Sequence, residues 1–162
     1  MVNSESVLNV LAEKVATLLS EKGLTISTAE SCTGGWVGKE FTGIPGSSKL
    51  YGTGFITYSN HAKHNLLKVS KESLISHGAV SKKVVEEMAE GAKKLSKSNL
   101  SIAISGIAGP SGGTKEKPVG TVCFAYSDEV STRSYEKFFS GDRDEVRRAS
   151  VKFILEEVLN NL

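Results

Sequence analysis

The stretch Thr28-Ala-Glu-Ser-Cys-Thr-Gly-Gly35 constrains the fold of this chain more than any other. It follows a short strand-like run, Leu24-Thr25-Ile26-Ser27, and leads into an apolar segment beginning at Trp36. A serine and a cysteine therefore stand side by side where a buried strand hands over to a helix. The first N–H groups of a helix have no internal partner, and the aligned peptide dipoles leave partial positive charge there. An anion or a developing oxyanion at that point is stabilised without a charged side chain. Gly34 and Gly35 remove the Cβ atoms that would keep a ligand from the backbone. The competing explanation is that Ser31 or Thr33 simply caps the helix.

The rest of the chain alternates helical and strand patterns. Residues 4–22 carry Val7, Leu8, Leu11, Val15, Leu18 and Leu19 at helical spacing, with Asn3 or Ser4 as cap and Gly23 as stop. A strand is expected over Leu24–Thr28, a short helix from about Gly34 to Phe41, and a loop over Thr42–Ser48. Gly52–Ser59 reads as a second strand whose glycines suggest close approach by another backbone. Asn60 is the expected cap of a short helix carrying His61, Lys63 and His64. Ser70 caps another that closes at Gly78, and Val80-Ser81 opens a longer one. Leu100–Ser105 is a compact apolar strand that runs into a glycine-rich loop, Gly106–Pro118. Val119–Tyr126 and Ser131–Phe139 form an expected hairpin, and Asp142 and Glu145 have capping-box spacing at the head of a last helix. The pattern predicts one domain over residues 1–162, a three-layer α/β/α sandwich with a mixed sheet.

At 162 residues the chain can bury a sizeable core without staples. A formal net charge of +2 is too small to imply nucleic acid as a partner. Two cysteines, Cys32 and Cys123, make no disulfide framework and fit a reducing compartment. The start Met1-Val-Asn-Ser-Glu-Ser lacks the form of a signal peptide, and no apolar run approaches membrane-spanning length, so a cytoplasmic location away from membranes is expected.

Ligands of open α/β sheets bind at the carboxyl ends of strands. Three such ends carry unusual residues here: Ser31, Tyr58 and the Gly106–Thr114 loop. The loop lacks both the dinucleotide pattern and the Gly-Lys-Ser/Thr ending of a P-loop, which leaves a generic anion- or ribose-binding cradle or a long surface turn. Ser31 needs a base, since a free hydroxyl is protonated at neutral pH. His61, His64 and His77 lie on short polar helices without an acidic partner at an obvious spacing. Lys63, five residues beyond Tyr58, is the better candidate, because a desolvated lysine loses proton affinity. Tyr58 can relay that proton or donate to the oxyanion. Cys32 is the rival nucleophile, though a packed small apolar side chain is the preferred reading for it. Arg143 and Arg147 sit one turn apart at the N-terminal end of the last helix, where cations oppose the dipole by roughly 0.3–1 kcal/mol each. They form either a fork for a phosphate or carboxylate, or local salt bridges with Asp142, Asp144 and Glu145.

Taken together, Ala29-Glu-Ser-Cys-Thr-Gly-Gly35, Tyr58-Ser-Asn-x-Ala-Lys63, Gly78-Ala-Val-Ser81, Gly106-Ile-Ala-Gly-Pro-x-Gly-Gly-Thr114, Lys117-Pro-Val-Gly-Thr121 and Gly141-Asp-Arg143 resemble the CinA C-terminal domain family. The resemblance runs from about Glu13 to Leu159. It implies a nicotinamide mononucleotide deamidase, which hydrolyses the carboxamide to nicotinate mononucleotide and ammonia within pyridine nucleotide and NAD metabolism. It further implies Ser31, Tyr58 and Lys63 as catalytic residues, and no metal or organic cofactor. Substrate contacts are expected from Thr33, Gly34, Gly35, Gly106, Ala108, Gly109, Thr114, Arg143 and Arg147. Family members commonly form dimers or larger homo-oligomers. The position between Asn60 and Ala62, often acidic in the family, is His61 here. Longer relatives carry an additional N-terminal pyrophosphatase domain, for which 162 residues leave no room, so that activity is not expected here. The alternative is a non-catalytic nucleotide-binding module of the same fold.

Overall fold

The computed structural model describes residues 4–162. The elements run α1 (Ser4–Lys22), β1 (Ile26–Glu30), α2 (Trp36–Thr42), a 3-10 turn (Ser47–Lys49), β2 (Tyr51–Ile56), α3 (Asn60–Leu67), α4 (Lys71–His77), α5 (Lys82–Ser96), β3 (Leu100–Gly106), β4 (Thr121–Ser127), β5 (Thr132–Phe138) and α6 (Arg143–Asn161). The strands form one sheet in the order β2-β1-β3-β4-β5. β1 is parallel to both its neighbours, whereas β3/β4 and β4/β5 are antiparallel.

Both faces of this mixed sheet are covered, which is why β1 is buried along its whole length. On one face, residues of α1, α2 and α6 (Leu8, Val15, Leu19, Val37, Phe41, Val151, Ile154, Val158) pack on Ile26, Ile102, Ile104, Val122 and Phe124. On the other, Leu67 of α3 and Val84, Val85, Met88, Ala89 and Ala92 of α5 pack on Ala29, Ala103, Cys123 and Ala125. Alternate residues of β3 and β4 thus serve opposite layers, as the two-residue period of a strand requires. The result is the α/β/α sandwich expected from the sequence.

The β1–β2 connection carries α2 on the first face, and the β2–β3 connection carries α3–α5 on the second. The connections that leave β1 and β2 therefore cross opposite faces of the sheet. A crevice opens beyond the carboxyl end of β1, the usual ligand position in such sheets.

Several boundaries differ from the sequence expectation, each for a local reason. β1 starts at Ile26 because Leu24 N–H ties back to Leu19 O at the end of α1, and Thr25 binds the Asn99 side chain. It continues to Glu30 because that carboxylate is satisfied inside the protein. β2 stops at Ile56, and Ser59 rather than Asn60 caps α3, its hydroxyl accepting from Ala62 N–H at 3.0 Å. Of the two glycines of β2, Gly54 makes room for a side chain and not for a backbone: a Cβ there would lie 2.1 Å from the Tyr51 phenol oxygen, which binds Thr28 Oγ1, whereas nothing lies within 4 Å of a Cβ on Gly52. The Ser70 and Ser81 caps and the Asp142/Glu145 capping box are present as expected. The expected cap at Asn3 lies outside the described residues.

Candidate active site

Ser31 follows directly on β1, and its N–H donates to Ile104 O of β3 at 2.9 Å. This bond extends the parallel pairing by one residue and carries Ser31 to the rim of the sheet. Ser31 C=O then accepts from Gly34 N–H at 3.1 Å, closing a β-turn with Cys32 and Thr33 at its centre. Gly35 ends the turn at φ 95°, a value that a side chain would strain, and α2 begins at Trp36.

The turn is anchored by Glu30, a buried carboxylate. It accepts from Thr33 Oγ1 at 2.7 Å, Gly35 N–H at 3.1 Å, Val37 N–H at 3.2 Å and Gly38 N–H at 3.0 Å. The start of α2 is thereby already occupied by a negative group from the protein itself, so the expected anion site at that helix end is filled. Within this turn, among the described residues, the N–H groups of Cys32 and Thr33 are the ones that pair with no carbonyl or carboxylate. Glu30 was invisible as an anchor in the sequence. Its only signal was an acidic residue placed where an apolar strand should still be running.

Lys63 reaches the same point from the first turn of α3. Its Nζ donates to Ser31 Oγ at 2.9 Å and to Thr57 O at 2.8 Å. The residue is 1% exposed, and among the described residues no carboxylate pairs with it. Burial therefore dominates and lowers its pKa to about 8 from the usual 10.5. Cys32, next to the serine, behaves oppositely. Its thiol packs in the core against Gly106, and burial pushes its pKa up to about 11, so it remains an unreactive thiol.

A cleft of about 270 Å³ opens over this pair, lined by Ser31, Cys32, Tyr58, Asn60, Lys63, Ala79, Val80, Ser105, Gly106, Ala108 and Arg143. Tyr58 stands at its mouth, 64% exposed, and its phenol oxygen accepts from Arg143 Nη2 at 2.9 Å. Arg143 Nη1 donates to Gly109 O at 2.7 Å. Among the described residues Arg143 has no acidic partner, so its charge at the rim is uncompensated. A larger groove of about 520 Å³ between α1 and residues 44–50 has Glu13 and Glu21 as its charged lining. It offers neither base nor cation and suits an anionic substrate poorly.

The structure thus brings together Ser31, Tyr58, Lys63, Gly106, Ala108 and Arg143, with Gly109 joined through its carbonyl. Other expected contacts are engaged elsewhere. The Thr33 side chain is buried, its hydroxyl donating to Glu30. Gly34 and Gly35 spend their N–H groups on Ser31 O and Glu30. The Thr114 hydroxyl accepts from Lys117 N–H within its own loop. Arg147 binds Cys32 O through Nε at 3.0 Å and Thr33 O through Nη2 at 3.2 Å, outside the cleft. His61 bonds Asn65, and His64 bonds Val69 O, both remote from Ser31. Sequence reasoning missed Asn60, Ser105 and the Ala79–Val80 wall.

What fold and site define is an α/β/α domain with a buried serine–lysine pair at the carboxyl edge of its parallel strands. The chain belongs to the CinA C-terminal domain family, whose model matches residues 8–162. It is 51% identical over 156 residues to the nicotinamide-nucleotide amidohydrolase PncC of Escherichia coli K12, covering 94% of this chain and 93% of that one. The Shigella flexneri protein of the same name is 49% identical over 154 residues, with 94% and 93% covered. The crystal structure of the competence/damage inducible protein CihA from Agrobacterium tumefaciens superposes with a TM-score of 0.92 at 40% identity, covering 95% of this chain and 94% of that one. Among the described residues no helix is long and apolar enough to cross a membrane.

Proposed function

We propose that this chain is an amidohydrolase that converts nicotinamide mononucleotide and water to nicotinate mononucleotide and ammonia, with Ser31 as nucleophile and Lys63 as base. The observation that carries the reading is the 2.9 Å contact between Lys63 Nζ and Ser31 Oγ in a buried setting. The names of relatives near 50% identity support the reaction class and the substrate.

A neutral lysine has two N–H donors and one lone pair. Thr57 O takes one donor, which helps turn the lone pair toward the Ser31 hydroxyl. Lys63 removes the Ser31 proton as Oγ attacks the carboxamide carbon. The N–H groups of Cys32 and Thr33 hold the oxyanion, and the proton on Lys63 passes to the nitrogen as the C–N bond breaks and ammonia leaves. Water then attacks the Ser31 ester with Lys63 again as base, which releases the carboxylate and restores the hydroxyl. Arg143 donates to the Tyr58 oxygen, so the Tyr58 O–H is free to donate into the cleft, where it orients the carboxamide. The unpaired charge of Arg143 faces the substrate phosphate.

Ammonia release from nicotinamide mononucleotide is the test, on wild type, Ser31→Ala and Lys63→Ala. The wild type should be active and both variants reduced at least about 100-fold. Mass spectrometry of acid-quenched enzyme should find the nicotinate mononucleotide acyl group, with its ribose phosphate still attached, esterified on Ser31. Equal activity in the three proteins would sink the assignment.

A further inference from the structure

Arg147 has no place in the scheme above, yet it is the cation that holds the backbone of the Ser31 turn. Its Nε and Nη2 hold two successive carbonyls, Cys32 O and Thr33 O. The guanidinium also lies over the Trp36 ring at 5.2 Å and near Asp144 at 3.7 Å, so it is fixed on several sides.

The carbonyl and N–H of a trans peptide point to opposite sides. Cys32 C=O and Thr33 N–H belong to one peptide, and this is the central peptide of the β-turn closed by Gly34 N–H on Ser31 O. A β-turn can change type by rotating that central peptide through about 180° while the closing bond stays in place. Such a rotation would swing the Thr33 N–H onto the Arg147 side and aim the Cys32 carbonyl where the donor had been. The central peptide is the one Arg147 grips. Arg147 does not line the cleft, whereas Ser31 and Cys32 do.

We propose that Arg147 is a positioning residue: it clamps the Cys32–Thr33 peptide so that the Thr33 N–H faces the oxyanion formed at Ser31. This rests on the reading of Ser31 as the nucleophile, and it differs from a role in which Arg147 binds the substrate phosphate.

Two substrates separate these roles, nicotinamide mononucleotide and nicotinamide riboside, which keeps the carboxamide but lacks the phosphate. Arg147→Met keeps an apolar stem on Trp36 and removes every donor. Its kcat should fall on the order of 100-fold on both substrates by the same ratio, with KM within about threefold, as loss of an oxyanion donor requires. Arg147→Lys, with one flexible cation in place of the fork, should recover part of that loss. A loss confined to the mononucleotide and expressed in KM would overturn the clamp in favour of a phosphate contact. Labelling of Ser31 by a fluorophosphonate supplies a readout independent of substrate identity. Its rate should fall in parallel with kcat in Arg147→Met, while the urea midpoint of Arg147→Lys stays near that of wild type. If wild type releases no ammonia from either substrate, the functional reading fails, and the labelling ratio still decides the clamp. Undiminished labelling in Arg147→Met overturns it.

Discussion

Lys63 Nζ and Ser31 Oγ lie 2.9 Å apart although they come from different layers of the sandwich, and among the described residues no carboxylate pairs with the buried Lys63. Only a lysine kept short of a counter-charge can be a base near neutrality. An ion pair would have raised its pKa and disabled it.

The first prediction is a pH profile. With a Lys63 pKa of about 8, roughly a tenth of the molecules carry the neutral amine at pH 7. The base form gains as protons leave, so kcat/KM should climb about tenfold per unit below that value and level off above it. Lys63→Arg should be inactive across the range, because guanidinium does not lose its proton. A profile flat from pH 6 to 9 would exclude Lys63 as the base.

The second concerns stability. The folded pKa lies below the unfolded one, so between about 8 and 10.5 the unfolded chain binds more protons and stability rises with pH. Below about 8 the cost of burying the charge is present in full, on the order of 3 kcal/mol. Lys63→Met is free of that cost but leaves Thr57 O without its donor. Its stability relative to wild type should be greatest at pH 7 and decline toward pH 10.5. Urea unfolding at several pH values reads this directly, and a pH-independent difference would contradict it.

Much of the fold could be read in advance because its signals are local: capping serines at 70 and 81, the Asp142/Glu145 box, and the run Leu100–Ser105. Ser31 and Lys63 were legible for the same reason, each marked by residue type at an element end. The anchoring by Glu30 was not, and Arg147, although singled out as a candidate phosphate contact, was not legible as a partner of the Ser31 turn. Both act on backbone groups, and a peptide N–H or C=O carries no residue name that a sequence pattern can register. The Arg147 carbonyl contacts span 115 and 114 residues, beyond any local spacing rule.

Glu30 leads to the third prediction. Four donors converge on one buried carboxylate, and two of them are N–H groups of the first turn of α2. Glu30→Ala strands them in the interior at about 1–3 kcal/mol for each that water fails to reach. Destabilisation of at least about 3 kcal/mol is expected, with Glu30→Gln less affected because it keeps one acceptor oxygen. Chemical denaturation gives the comparison, and a loss under 1 kcal/mol in Glu30→Ala would deny Glu30 its anchoring role.

A fourth prediction uses Gly106. A Cβ there would come within 2.7 and 2.9 Å of the Val122 methyls and 3.1 Å of Cys32 Sγ. Gly106→Ala should therefore cost about 1–3 kcal/mol as an overpacked core substitution, and it should lower kcat by displacing the residue next to Ser31. Gly52→Ala in β2 is the matched control, since nothing lies within 4 Å of its added methyl. Melting temperatures that fall equally in both would remove the steric explanation.

The last prediction concerns the wall opposite Ser31. Lys117 Nζ donates to His77 O at 2.7 Å and Val80 O at 2.6 Å, Ser105 Oγ to Ala79 O at 2.8 Å, and Ser81 Oγ to Gly78 O at 2.9 Å. Four successive carbonyls are thus held by side chains, and the turn they fix presents Ala79 and Val80 to the cleft. Two sequence motifs, Gly78–Ser81 and Lys117–Thr121, meet in these contacts. Lys117 reaches neither Ser31 nor Lys63, so its loss should loosen substrate fit and leave the chemical step largely intact. Lys117→Met is expected to raise KM for nicotinamide mononucleotide about tenfold with kcat within about threefold, the pattern of lost uniform binding. Lys117→Arg, which retains donors, should fall between. Steady-state kinetics decide it: a KM unchanged in Lys117→Met would mean that the wall holds its shape without the ammonium, through Ser105 and Ser81 alone.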